Sequence, residues 1–287
     1  MPGWEPHTVT SSELIDPAPV AALAALFDDG LPVPGPGDEL PPMWHWVALP
    51  RWPVSSLIGA DGHPVRGGFL PPVELPRRMF AGGEVRWHSE IHVGETVRRV
   101  SRVESVTEKS GRSGKLVVVV VSTRLYRDGG ELALDERQDL IYREAGPAAP
   151  ATADPADAAA LTPAGAPLRR AGDTEWDFAT DPTLLMRFSA ATANAHRIHY
   201  DWPYATRVEG YPGLVVHGPL ITLAAAEVHR LAGRTGRPAG LRHRNRAPLF
   251  CAQSARFRIE PGDAPGPRID LLGPGGDAHA TVEIDLG

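Results

Sequence analysis

The spacing of apolar positions changes character several times along the chain. From Pro19 to Phe27, Val20, Leu23, Ala24 and Phe27 recur at helical intervals behind prolines and an Asp16 cap, which predicts one short buried helix. From Gly83 to Arg143 the pattern becomes strand-like, over Glu84–Ile91, Glu95–Glu108, Lys115–Arg127 and Glu131–Tyr142. The breaks at His92-Val93-Gly94, at 110–114 and at Asp128-Gly129-Gly130 are turn signals that join consecutive antiparallel strands. The run Leu116-Val117-Val118-Val119-Val120-Val121 is too apolar for a half-solvated strand and belongs in mid-sheet.

Periodicity then stops. Ala145 to Ala166 is rich in Ala and Pro and supplies almost nothing that packs a core, so it reads as a linker at 145–166 between an N-terminal domain, 1–144, and a C-terminal domain, 167–287. Beyond it, Thr174–Phe178 suits a strand, and Pro182–Ala193 a helix or turn that enters a polar loop. Gly218 to Leu231 predicts a second helix, with Pro219 in its first turn and Gly233 near its end. Being apolar nearly all round as far as Glu227, that helix should be enclosed by sheet. Strand patterns follow at Leu241–His243, Ser254–Ile259, Arg268–Leu272 and Ala278–Ile284. Each half thus reads as one buried helix with an antiparallel sheet able to wrap it, an α+β chain without a close internal sequence repeat.

Composition narrows the function classes. A length of 287 residues fits two domains, and a net charge of −6 argues against a surface built to hold nucleic acid. The one cysteine, Cys251, rules out an intrachain disulfide and a multi-cysteine metal site; following Leu249-Phe250, it reads as a core residue rather than a catalytic thiol. The start of the chain lacks a basic segment followed by an apolar one, and no apolar run is long enough to span a bilayer. A soluble cytoplasmic protein without membrane attachment is expected.

The chemistry concentrates in the segment Phe188-Ser189-Ala190-Ala191-Thr192-Ala193-Asn194-Ala195-His196-Arg197-Ile198-His199-Tyr200-Asp201 and in the later Val215-Val216-His217-Gly218-Pro219. Together these resemble the MaoC-like dehydratase family, whose enoyl-CoA hydratases carry Phe-Ser-x-x-Thr-x-Asp-x-Asn-Pro-x-His and then Val-x-His-Gly at the start of the central helix of a hotdog fold. The version Asn-x-His-Arg-Ile-His-Tyr-Asp is similar to the branch of mesaconyl-C4-CoA and itaconyl-CoA hydratases and mitochondrial type 2 3-hydroxyacyl-thioester dehydratases. Arg77-Arg78-Met79-Phe80-Ala81-Gly82-Gly83 and 107–114 also resemble that branch.

The resemblance implies a double hotdog, two antiparallel sheets each wrapped around a central helix, acting as a hydro-lyase on an enoyl or 3-hydroxyacyl thioester. It carries the catalytic histidine to His199 and the oxyanion-binding N–H to Gly218. The family's Asp, Asn and Pro fall on Asn194, His196 and Arg197, and an amide cannot accept a proton from water, so a two-base scheme does not carry over unchanged.

The residues themselves give a workable site. An imidazole with an ordinary pKa of roughly 6.5 can take a proton from water and return one to the α-carbon. A helix-end N–H suits the charge that builds on the thioester oxygen, and the Asn194 carbonyl can hold the water. Against the bland alternative of a structural histidine, His199 shares its polar loop with Asn194. Weaker candidates for substrate contact are His196, Arg197, His217 and Arg246, with loop-tying the competing reading for His196 and Arg197.

Arg242, Arg244 and Arg246 read as a solvated face before a phosphate site, and Trp44, Trp46 and Trp52 as core before an acyl channel. His196 and His199 lack a recognisable third zinc ligand, so no metal is expected. No cofactor is expected either, the partner being an acyl-CoA or acyl-carrier-protein thioester, while the pattern leaves a homodimer open. The N-terminal half, lacking the Asn-x4-His spacing, is expected to accommodate the acyl chain. A hotdog thioesterase and a non-catalytic acyl-thioester binder are the competing classes. The first needs a carboxylate near the thioester carbon, where Glu227 is two turns too far along its helix; the second would release no product.

Overall fold

The computed structural model describes residues 3–111, 114–144, 164–233, 237–261 and 266–287. Most of the linker expected at 145–166, and the tip of the turn expected at 110–114, lie outside them.

Strand β1 (Thr8–Leu14) leads into helix α1 (Pro17–Phe27), whose cap is the expected Asp16 accepting from the Ala18 N–H. Helix α1 buries Val20, Leu23, Leu26 and Phe27 and packs on two others, the single turn α2 (His45–Ala48) and α3 (Pro182–Ala191). Four long strands follow, β2 (Arg77–Trp87), β3 (Thr96–Gly111), β4 (Gly114–Tyr126) and β5 (Leu132–Arg143). In β4, Val117, Val119 and Val121 are buried while Val118 and Val120 are half-buried, which is how a run of six apolar residues is accommodated between β3 and β5.

The second half contributes β6 (Leu168–Arg170), β7 (Glu175–Phe178), then α3, and helix α4 (Gly218–Leu231), followed by β8 (Gly240–Asn245), β9 (Ala255–Pro261), β10 (Pro267–Leu272) and β11 (Ala278–Asp285). Residues Leu220 to His229 of α4 are buried, Glu227 among them, as its apolar circumference requires. The two halves do not merely abut. Antiparallel pairing of β2 with β8, from Gly82↔Arg244 to Arg86↔Gly240, joins their sheets into one of eleven strands. That seam carries Phe80, His243 and Asn245 into the space between the halves, where Asn245 Nδ2 donates to the Phe80 carbonyl at 3.0 Å.

Candidate active site

Helix α3 stops at Ala191 and Ala193 adopts the left-handed region, with φ of 52°, so the chain turns sharply before Asn194. The turn is pinned by the Asn194 N–H donating to the Ser189 carbonyl at 2.9 Å and by the His196 N–H donating to Asn194 Oδ1 at 3.1 Å. One lone pair of the carboxamide oxygen expected to hold water is therefore occupied by the loop itself. A single 3-10 turn, Arg197–His199, follows and delivers His199 to the interior.

His199 Nδ1 donates to the Val215 carbonyl at 2.7 Å, which leaves Nε2 as the unprotonated nitrogen. Burial, and then the charge of His196, pull its pKa down to about 3, so the ring is neutral at ordinary pH. The His217 ring stacks on it at 3.6 Å between centroids and 18° between planes, and is itself bound to Ser189 Oγ at 2.8 Å. His217, fully buried, also marks the start of α4.

At the first residue of α4 the Gly218 N–H makes no hydrogen bond among the described residues, as the helix geometry leaves it free to do. A Cβ there would come within 2.6 Å of Asn245 Nδ2 and 3.2 Å of the Phe80 ring, so a larger residue would have to shift the Asn245 amide that is bonded to the Phe80 carbonyl.

These groups open onto a cavity of about 750 Å³ between the halves. Of the residues singled out from sequence, it brings together His199, Asn194, Gly218, His196 and Arg246. His217 stands behind His199 rather than in the wall. Arg197 lies outside the wall too: its guanidinium is held by Asp201 at 2.7 Å and by the Ala60 carbonyl at 3.0 Å, and covers the Tyr204 ring. Arg246 is bound to Thr281 Oγ1 at the exposed rim, and Arg242 pairs weakly with Glu84 and Glu283 on the outer face. Trp46 lines the cavity, Trp44 is core and Trp52 is 74% exposed, so the three tryptophans do not act as a group. Burial pushes the Cys251 thiol up to about 12, unlike a reactive cysteine.

The site also contains residues that sequence reasoning missed. A loop of the N-terminal half docks on the motif, with the Arg197 N–H donating to the Asp61 carbonyl at 2.9 Å. Gly62, at φ of 87°, sits so close to Ala195 that a Cβ would lie 1.7 Å from its carbonyl oxygen. This docking sets His63 against His196 at 4.0 Å between rings, with Asp61 bonded to His63 at 3.1 Å and Glu209 to His196 at 3.2 Å. Burial alone would raise the Asp61 pKa, but the hydrogen bond and charge of His63 outweigh it and keep the acid ionised.

Asp61, His63 and His196 offer ligand atoms within 4.8 Å of one another, a grouping the expectation of no metal did not foresee. Here each member is already engaged by a hydrogen bond. Farther along the wall, buried Glu136 is held by His45, Gln138 and Trp46, whose hydrogen bonds overcome burial and keep its carboxyl below the usual range. The turn residues of 58–64 were the available signal for the docking loop; nothing local marked where it would dock.

A family model for hydroxyacyl-thioester dehydratase type 2 matches residues 43–251. The chain belongs to the hydroxyacyl-thioester dehydratase type 2 family. It is a hydro-lyase. The chain is 42% identical to the mesaconyl-C(4)-CoA hydratase of Chloroflexus aurantiacus, over 99% of this chain and 97% of the relative. It is 24% identical to the mitochondrial hydroxyacyl-thioester dehydratase type 2 of Schizosaccharomyces pombe, over 77% of this chain and 79% of the relative.

Among solved structures it is similar to HtdX of Mycobacterium tuberculosis, with a TM-score of 0.64 at 22% identity, covering 98% of this chain and 100% of that one. A double-hotdog protein of the same organism gives a TM-score of 0.55 at 16% identity, covering 99% of this chain and 96% of that one. The fold of this family member is thus a double hotdog, its two sheets fused through the β2–β8 seam. Among the described residues no helix of this family member is long and apolar enough to cross a membrane.

Proposed function

We propose that the protein hydrates an enoyl thioester of CoA, of the mesaconyl-C4 or itaconyl dicarboxylyl kind, and catalyses the reverse dehydration. One observation carries the reading: a neutral imidazole with a free Nε2, a carboxamide and an unpaired helix-end N–H converge on one cavity in a member of a dehydratase family.

In this reading the thioester oxygen accepts from the Gly218 N–H and a water lies between His199 Nε2 and the Asn194 carboxamide. Nε2 removes a proton as the water oxygen bonds to the β-carbon, and the π pair moves through the α-carbon onto the thioester oxygen. The α-carbon then takes the proton from Nε2, which restores the thioester. A pKa of about 3 makes the resting imidazole a weak base. The enolate formed in the same step stabilises the imidazolium and so raises the basicity of Nε2 in the transition state.

The proposed scheme uses only the chain's own groups. Residues 167–287 supply the catalytic motif, while residues 1–144 supply the docking loop and much of the acyl-binding wall. His217 is assigned to fixing the plane of His199, and His196 and Arg197 to holding the loop. Arg246 is assigned to the rim, where a CoA phosphate would lie. A carrier-protein thioester as donor, a homodimer and a cytoplasmic location are compatible with this assignment.

Loss of enoyl-thioester absorbance on adding mesaconyl-C4-CoA tests the reading, with His199→Ala expected to lower turnover by about 10²-fold or more. Near-normal turnover in that variant removes His199 from the mechanism. Release of free thiol without hydration would instead favour a thioesterase. Glu227 offers that reading no base, being bound to Arg230 at 2.6 Å and remote from the cavity wall.

A further inference from the structure

We propose that Arg78 is the receptor for a second carboxylate on the acyl group, so that this residue makes the cavity selective for dicarboxylyl thioesters; the inference rests on the hydratase reading above. Arg78 lines the same cavity as His199, Asn194 and Gly218. It lies two residues from Phe80 on β2, hence on the same face of the strand and roughly 7 Å along it. Phe80 is the ring against which the Gly218 helix end is packed. The guanidinium also adjoins the histidine column: its charge, after burial, depresses the His63 pKa, and His196 and His199 follow at ring separations of 4.0 and 5.5 Å. A side chain starting there reaches the space beside the carbon that water attacks. In a mesaconyl C4-thioester that carbon carries the second carboxylate.

The surroundings of Arg78 call for an anion. Among the described residues no carboxylate lies within 4.0 Å of its guanidinium; burial is the main influence on it and lowers its pKa, opposed by the Tyr142 hydroxyl beside it and by the more distant Asp61. The two acids of this region are already engaged, Asp61 with His63 and Glu209 with His196. Arg66 adds positive charge without competing for a ligand, since it donates to the carbonyls of Val73, Leu75 and Pro76.

At the opposite end of the cavity the wall arginines Arg99 and Arg51 are already paired with Glu13, at 2.9 and 3.6 Å. There the ionised Glu136 stands on β5, six residues from Tyr142, the residue that faces Arg78 across the sheet, or about 20 Å away. A planar guanidinium matches a carboxylate in two parallel hydrogen bonds, and an enclosed charge whose nearest partner is the neutral Tyr142 hydroxyl gains more from such a ligand than a solvated one does. Arg197, the cation suggested by the motif, is already committed to Asp201 outside the wall.

The test is the affinity of succinyl-CoA relative to butyryl-CoA, two unreactive probes that share the CoA moiety and differ in the distal carboxylate. The wild-type protein is expected to bind succinyl-CoA about 10- to 100-fold more tightly, the range of a charge-assisted hydrogen-bonded pair. Arg78→Gln is expected to bring the ratio to within about threefold of unity, and Arg197→Ala to retain the wild-type preference. Equal binding by the wild type, an unaltered ratio in Arg78→Gln, or loss of the preference in Arg197→Ala instead, overturns the assignment. If Arg78→Gln does not fold by circular dichroism, Arg78→Met takes its place, and the wild-type ratio decides independently of both. A wild-type protein that keeps the binding preference but never hydrates mesaconyl-C4-CoA would remove the hydratase reading and leave the Arg78 receptor in place.

Discussion

Asn194 performs two tasks that separate on mutation. Its Oδ1 accepts the His196 N–H and so shapes the loop, while its carboxamide borders the cavity beside His199. Asn194→Ala removes both, and is expected to cost about 1 kcal/mol of stability and at least tenfold in turnover. Asn194→Asp keeps an acceptor for the same N–H and restores an acid, so its melting temperature should stay near that of the wild type and its turnover above that of the Ala variant. Thermal melts beside hydration rates check this; equal turnover in the Ala variant and the wild type would reject a role in holding water. The motif residues were legible in sequence because Asn194, His199 and the Gly218 helix start are local signals a few residues apart or at an element boundary. Asp61, His63 and Arg78 were not, although Arg78 lay in a stretch already noted as resembling the branch. Their roles arise only when a turn-rich loop and a strand of one half meet the loop of the other.

Among the elements, α4 was readable from end to end because its apolar circumference, Pro219 and the following glycine all agree. Strand β1 was not: Thr8-Val9-Thr10-Ser11-Ser12-Glu13-Leu14 is mostly polar, and as an edge strand paired only with β3 it needs few apolar positions. The N-terminus of α4 offers the direct test of the helix as an anion site. In Gly218→Ala the new Cβ must displace Asn245 or Phe80, moving the helix end away from the seam, and hydration should fall about 10²-fold while the binding of free CoA changes little. Unchanged kinetics would mean that the Gly218 amide is not the oxyanion donor. Two turns on, burial raises the Glu227 carboxyl to about 7 in spite of Arg230. A folded value above the unfolded one stabilises below the unfolded value of 4.5 and loses that contribution as pH rises through about 7. Glu227→Gln is therefore expected to gain stability relative to the wild type between pH 5 and pH 8, by on the order of 2–3 kcal/mol. Parallel denaturant titrations at the two pH values would show it, and a constant difference would contradict it.

At the scale of the molecule, the fused sheet encloses several neutral imidazoles, with consequences for its response to acid. His63, His199, His217 and His243 are all held below the ordinary imidazole value, in each case first by burial, with His199 at about 3 and His243 at about 4. Both ring nitrogens of His243, stacked on Phe80 at the seam, lack a hydrogen-bond partner among the described residues. Each such group stabilises the fold above its unfolded value of roughly 6.5 and loses that contribution as pH falls toward the folded value, because the unfolded chain takes up protons that the native one refuses. Glu227 works in the opposite sense over its own window, up to about 7, and offsets one of the four. The remaining difference in bound protons makes the native state lose stability with each further fall in pH below about 6.5. Against a typical stability of about 5–15 kcal/mol, that loss is sufficient to unfold the protein in moderate acid. Cooperative loss of circular dichroism is thus expected between about pH 5 and pH 4, while the rate constant for hydration, measured where the protein is still folded, should show no break near 6.5 because His199 does not protonate there. His243→Phe keeps a ring between Phe80 and Trp46 but removes one proton site, so its acid midpoint should move downward. A native signal persisting to pH 3.5, or a midpoint unmoved in this variant, would show that the buried histidines do not set the acid limit of the fold.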